Sequence, residues 1–155
     1  MKYALIGCGR IATNHVKAVV NNGLEFVAAC DIVPEKIEQL LAKHGLESDA
    51  SIARYADYRA MLADHPDLDL VAIATESGKH AAIALECIDA GMNVIIEKPM
   101  AMSIADADEI IRRSEERHVV VSACHQNRFN VAVQKTREAV EKGRFGRLSH
   151  GSIHV

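Results

Sequence analysis

The sequence predicts an α/β fold, a doubly wound parallel sheet with strand order 3-2-1-4-5-6, closing with the first strand of a following α+β domain. Three observations predict it. Short apolar runs alternate with amphipathic segments along the whole chain. Several of those runs, such as Leu70-Val71-Ala72-Ile73-Ala74, are continuously apolar, as strands covered on both faces require. The first run leads through a glycine turn directly into a helical segment, the opening of a parallel βαβ unit.

The elements follow in order. Lys2-Tyr3-Ala4-Leu5-Ile6 is the first strand, and Thr13 to Val20 the first helix. Leu24 to Cys30 forms the second strand, ended by Asp31. Pro34 to His44 is a helix with proline in its first turn, an Ile37, Leu40 and Leu41 face, and Gly45 as its stop. Ile52 to Tyr55 makes a short strand, and Asp57 caps a helix carrying Met61 and Leu62 that Pro66 ends. After the Leu70 to Ala74 strand, Ser77 to Ala90 is helical, with Ala81, Leu85 and Ile88 inward and Gly91 at its end. Asn93 to Ile96 is the fifth strand. Ser103, with Asp106 three residues on, opens a helix that runs to about Arg117. Val119 to Cys124 is the sixth strand, Asn130 to about Gly143 the last helix, and Leu148 to Val155 a further strand. The expected division is 1-145 for the first domain and 146-155 for the start of a second, absent one.

Composition narrows the function classes. With 155 residues, 49% of them hydrophobic and 25% charged, the chain has the balance of one globular domain with a real core. A formal net charge of -3 offers no basic surface, so nucleic acid is not an expected partner. No apolar run reaches the roughly 20 residues a bilayer span needs, so no membrane is expected either. The chain starts directly on a strand, without a charged leader. Cys8, Cys30, Cys87 and Cys124 sit mostly in apolar runs and form no Cys-x-x-Cys pair, which suits a reducing, cytoplasmic setting. Of the eight histidines, His15, His44, His65 and His118 are scattered over helix positions and ends. His150 and His154 share a strand face without converging. No metal site is expected.

Gly7-Cys8-Gly9-Arg10-Ile11-Ala12 carries the first functional signal. Gly7 permits the sharp turn out of the strand, Gly9 lets a pyrophosphate approach the backbone, and Ala12 lets the helix pack close. The helix N-terminus then offers free N–H groups and its dipole to the phosphates. Alone the pattern is weak, because any tight strand-to-helix turn favours glycine. Asp31, about 20 residues further on and at the tip of the second strand, supplies the second signal. A carboxylate there accepts hydrogen bonds from ribose hydroxyls and repels a 2′-phosphate, and Ile32, Val33 and Pro34 provide no arginine to offset it. A helix-capping or turn aspartate is the alternative. The pair points to NAD in preference to NADP.

Ligands of such sheets bind beyond the carboxyl ends of the strands. Ala74, Thr75, Ser77 and His80 follow the fourth strand, Glu97, Lys98 and Pro99 the fifth, and His125, Gln126, Asn127 and Arg128 the sixth. Lys98 is held between a buried strand and Pro99, whose ring restricts the residue before it. Partial burial there would lower its pKa and suit it to take a proton from a reacting hydroxyl. A surface lysine paired with Glu97 is equally compatible with these residues.

The glycine motif, Asp31, Thr75 with His80, and Glu97-Lys98-Pro99 together resemble the amino-terminal NAD(P)-binding domain of the glucose–fructose oxidoreductase / inositol dehydrogenase / MocA family. The resemblance implies a Rossmann fold and hydride transfer between NAD and a sugar or cyclitol hydroxyl. It implies that Lys98 contacts the reacting oxygen and that Glu97 and Thr75 border the nicotinamide half, with His80 facing the same cleft. Cys8, Arg10, Ile11, Ala74, Ser77, Gln126 and Arg128 complete the implied cofactor-binding set. Gln126-Asn127-Arg128-Phe129-Asn130 further resembles a segment of the family's nucleotide-sugar dehydrogenases, which act on UDP-linked sugars. Val131 departs from that pattern where proline is usual, as does Glu76 after Thr75. The family's second domain, which completes the substrate pocket and mediates homo-oligomerisation, is implied to follow. A non-catalytic, dinucleotide-sensing relative is the alternative implied by the same fold.

Overall fold

The computed structural model describes residues 1–152 and divides them into two compact units, the first Met1–Cys124 and the second starting at His125. The first unit holds a six-stranded sheet in the order 3-2-1-4-5-6, every neighbouring pair parallel. Its elements are β1 (Lys2–Ile6), α1 (Ala12–Asn21), β2 (Glu25–Cys30), α2 (Pro34–Lys43), β3 (Ala53–Tyr55), α3 (Tyr58–Asp64), β4 (Leu70–Ile73), α4 (His80–Asp89), β5 (Asn93–Glu97), α5 (Ile104–Arg117) and β6 (Val121–Cys124). The doubly wound sheet expected from the apolar runs is what forms.

Two cores lie on opposite faces. On one, Val16 and Val19 of α1 and Ile37, Leu40 and Leu41 of α2 pack on Tyr3, Leu5, Phe26 and Ala72. On the other, Met61 and Leu62 of α3, Ile83, Ala84, Cys87 and Ile88 of α4 and Ile110 of α5 cover Ala4, Ile6, Val71, Ile73, Val94 and Ile96. Alternate residues of each central strand therefore feed different cores, which is why those strands read as unbroken apolar runs. Capping sets several helix starts. Asp57 accepts the Arg59 N–H, and Ser103 accepts the Asp106 N–H.

The inward face of α4 is wider than expected, with the expected Ala81, Leu85 and Ile88 all packed on the core. Ile83, Ala84, Cys87 and Ile88 are buried with His80, whereas Ala81 and Leu85 are only half-buried. A 3₁₀ turn over Ser77–Lys79 precedes α4, so the α-helix proper begins at His80 and not at Ser77.

The second unit contains a 3₁₀ turn over Gln126–Phe129 and α6 (Val131–Glu141), capped by Asn130, which accepts the Ala132 N–H. The strand expected over Leu148 to Val155 is not seen in its described part. Leu148 to Ser152 have no regular structure, and Ile153, His154 and Val155 lie outside the described residues. A strand exists only with a hydrogen-bonded neighbour, and this segment supplies none of its own.

Candidate functional site

The strand registers bring the carboxyl ends level. Ile6 lies opposite Cys30 and Ile73, Ile73 opposite Ile96, and Glu97 opposite Cys124. The residues that leave those strands therefore share one edge of the sheet: Gly7 to Ala12, Asp31, Ala74 to Ser77, and Glu97 with Lys98.

The two glycines of the turn meet different demands. Gly7 has φ +96°, and a Cβ there would lie 2.6 Å from the Ala74 backbone and 2.7 Å from Thr75 N. Its N–H donates to the Cys30 carbonyl at 2.8 Å. The fold itself requires this glycine. Gly9 is different, because a Cβ there would meet nothing within 4 Å. No packing explains its lack of a side chain. Beyond it α1 begins without a side-chain cap, as α2 and α4 do, and in its first turn the Ala12 and Asn14 N–H groups donate to the Gly9 and Ile11 carbonyls. An open, side-chain-free position at the positive end of a helix dipole forms a cradle in which an anion can approach the backbone. Arg10 is exposed and Ile11 half-buried at its rim, while Ala12 is fully buried against the sheet.

Asp31 is largely buried, and both of its carboxylate oxygens are fixed by backbone. Oδ2 accepts the Cys8 N–H at 2.8 Å and Oδ1 the Val33 N–H at 2.9 Å. It thus also performs the turn role set out as its alternative, and it ties the β2 tip to the glycine loop. Each oxygen keeps a lone pair for a further donor. The bond occupies the Cys8 N–H, and burial pushes the Cys8 thiol up to about 12, so that side chain is a packing group.

His80 does not face open space. It is 1% exposed, with Nδ1 2.7 Å from the Pro99 carbonyl and Nε2 3.1 Å from the Thr75 carbonyl. The ring bridges the loops after β4 and β5, so its two nitrogens are engaged by the protein's own backbone at the sheet edge where a cofactor contact was expected. Ala74 is buried, and Thr75 and Ser77 are half-buried beside it. Lys98 is exposed, so the partial burial expected of it is absent in this chain. Nor is Glu97 its side-chain partner. Glu97 Oε1 lies 3.1 Å from His15 Nε2, and Oε2 accepts the Lys98 backbone N–H at 3.3 Å. Gln126 and Arg128 are exposed on the 3₁₀ turn of the second unit.

His15 is the residue sequence reasoning missed. It is buried on α1 among Ala12, Val16 and Val19. A histidine on the apolar stripe of a helix needs a polar partner inside, and that position was the available signal. Its Nε2, a Glu97 oxygen and the Cys124 Sγ all lie within 4.8 Å of one another. Burial, with the Glu97 charge beside it, pushes the Cys124 thiol up to about 11. Among the described residues, no helix is long and apolar enough to cross a membrane.

Residues 1–125 match the model of an oxidoreductase family described by its NAD-binding Rossmann fold. A myo-inositol 2-dehydrogenase from Thermotoga maritima is 27% identical over 149 residues, 95% of this chain and 42% of that protein. A D-apiose dehydrogenase from Paraburkholderia graminis is 33% identical over 98% of this chain and 39% of its own length. Among solved structures, the WlbA dehydrogenase from Bordetella pertussis, in complex with NADH and UDP-GlcNAcA, superposes with a TM-score of 0.84. It is 35% identical, over 94% of this chain and 43% of that one. The chain spans about 40% of the length of the relatives it matches.

Proposed function

Because the chain belongs to the oxidoreductase family with the NAD-binding Rossmann fold, we propose that it is the cofactor-binding part of an NAD-dependent dehydrogenase acting on a sugar or nucleotide-sugar hydroxyl. Gly9 carries this reading, since its missing side chain serves no packing purpose and opens the turn to a pyrophosphate. Bound NAD would supply the hydride acceptor. The residues of this chain do the rest. The open turn at Gly9 and the positive dipole end of α1 hold the phosphates, and Asp31 accepts from the adenosine ribose and disfavours a 2′-phosphate.

Lys98, exposed at the end of β5, hydrogen-bonds the substrate hydroxyl oxygen and assists the loss of its proton to solvent as the carbon gives up hydride. Glu97, fixed by His15 and by the Lys98 N–H, holds the base of that loop, and Thr75 borders the same edge. Gln126 and Arg128 are assigned to the cofactor side through their sequence pattern alone. The sugar class is supported by the dehydrogenases to which the chain is similar. Their greater length supports a second domain that would complete the substrate pocket and make a homo-oligomer. The test pairs two measurements. The 155-residue chain should bind NADH in a calorimetric titration yet reduce no NAD with inositols, sugars or UDP-sugars, whereas the longer protein carrying it should turn over one of them. Failure of the longer protein to reduce NAD with any of them, despite NADH binding, would overturn the dehydrogenase assignment.

A further inference from the structure

His15, Glu97 and Cys124 come from three elements that only the folded sheet brings together, the first turn of α1 and the ends of β5 and β6. Their donor atoms, an imidazole nitrogen, a carboxylate oxygen and a sulfur, lie within 4.8 Å of one another. We propose that they form a binding site for a thiophilic divalent cation of the zinc type.

The donor chemistry selects the ion. Nitrogen and sulfur donors suit zinc and its borderline neighbours, whereas magnesium and calcium take oxygen sets. Bond lengths of about 2.0 Å to nitrogen or oxygen and 2.3 Å to sulfur place tetrahedral donors about 3.3–3.8 Å apart. The His15–Glu97 separation is already 3.1 Å. The Cys124 Sγ lies within 4.8 Å of both other donors, so closing the site needs only a small inward shift of the donor atoms. Charge also fits. A carboxylate, a thiolate and a neutral imidazole together balance a dication, in a place where the His15 and Glu97 side chains are 10% and 13% exposed. Half-exposed Cys124 gives the ion an entry. On binding, the Cys124 S–H bond breaks, its proton leaves to solvent, and the sulfur lone pair goes to the cation; the hydrogen shared between His15 Nε2 and Glu97 also leaves Nε2, the neutral imidazole then keeping its proton on Nδ1. Nothing is oxidised or reduced. Three protein ligands leave one coordination position for water.

Cobalt(II) is the probe, titrated into the 155-residue chain kept reduced with a phosphine. A saturable band of thiolate-to-cobalt charge transfer in the near ultraviolet, reaching its limit at one equivalent, is the expected result. Cys124→Ser, a near-isosteric change at a half-buried position, should abolish that band, and His15→Gln should weaken cobalt binding by about 10-fold or more. Exposed His150→Ala should change neither. Absence of the band, its survival in Cys124→Ser, or its loss in His150→Ala would each overturn the site. Circular dichroism of the Cys124→Ser chain, expected to match the parent, keeps the result independent of folding.

Discussion

Gly7 and Gly9 stand two residues apart in one turn, and their substitution should separate folding from ligand binding. At Gly9 an added Cβ meets nothing within 4 Å, and its φ is one that L-residues adopt. Gly9→Ala should therefore leave stability unchanged or raise it by about 0.4–1 kcal/mol, because the unfolded chain loses freedom. Gly9→Val fills the same open space and should fold equally well. If that space receives the pyrophosphate, Val should weaken NADH binding by about 100-fold or more, roughly 2.7 kcal/mol, with Ala between the two. At Gly7 the balance reverses. A φ of +96° costs an L-residue about 1–2 kcal/mol, and the Cβ would stand 2.6 Å from the Ala74 backbone, which must shift. A loss of at least about 2 kcal/mol lowers the melting temperature of a chain this size by roughly 4–8 °C. Thermal melts with circular dichroism read the first quantity, and calorimetric NADH titration of the folded chains reads the second. Normal NADH affinity in Gly9→Val would refute the cradle and leave the turn a purely structural device.

Asp31→Ala should bring NADPH affinity closer to that of NADH, measured by parallel titration, and tighter NADPH binding by the parent chain would sink the charge argument. In the longer protein, Lys98→Met should lower turnover by about 100-fold or more with the NAD dissociation constant nearly unchanged, and unaltered turnover would reduce Lys98 to a surface cation. His80→Phe removes the bridge between the Thr75 and Pro99 carbonyls while keeping an aromatic ring. It should destabilise the chain by about 1–3 kcal/mol in urea unfolding, since the part-buried contacts of the ring to two backbone carbonyls are lost. Ser103→Ala should cost about 1 kcal/mol through the lost cap of α5, read by the same unfolding curves.

Local chemistry wrote most of the fold into the sequence. Continuous apolar runs marked strands buried on both faces, proline and aspartate marked helix starts, and their alternation left one well-known sheet order to expect. The glycine turn and Asp31 were legible for the same reason, since each answers a demand of its own backbone position. What depended on contacts between distant strands was not legible. Two glycines that look alike in sequence differ because a Cβ on one would stand 2.6 Å from the Ala74 backbone just after β4, whereas a Cβ on the other would meet nothing within 4 Å. His80 follows Thr75 closely enough to suggest a shared cleft, yet its ring is buried between the Thr75 carbonyl and the Pro99 carbonyl of the neighbouring strand's loop. His15, Glu97 and Cys124 are far apart along the chain and meet only because β5 and β6 pair in parallel with Glu97 opposite Cys124 and α1 starts beside them. Spacing encodes what a residue does to its own turn of chain. Only the packed sheet decides which side chains from separate turns come to share a site.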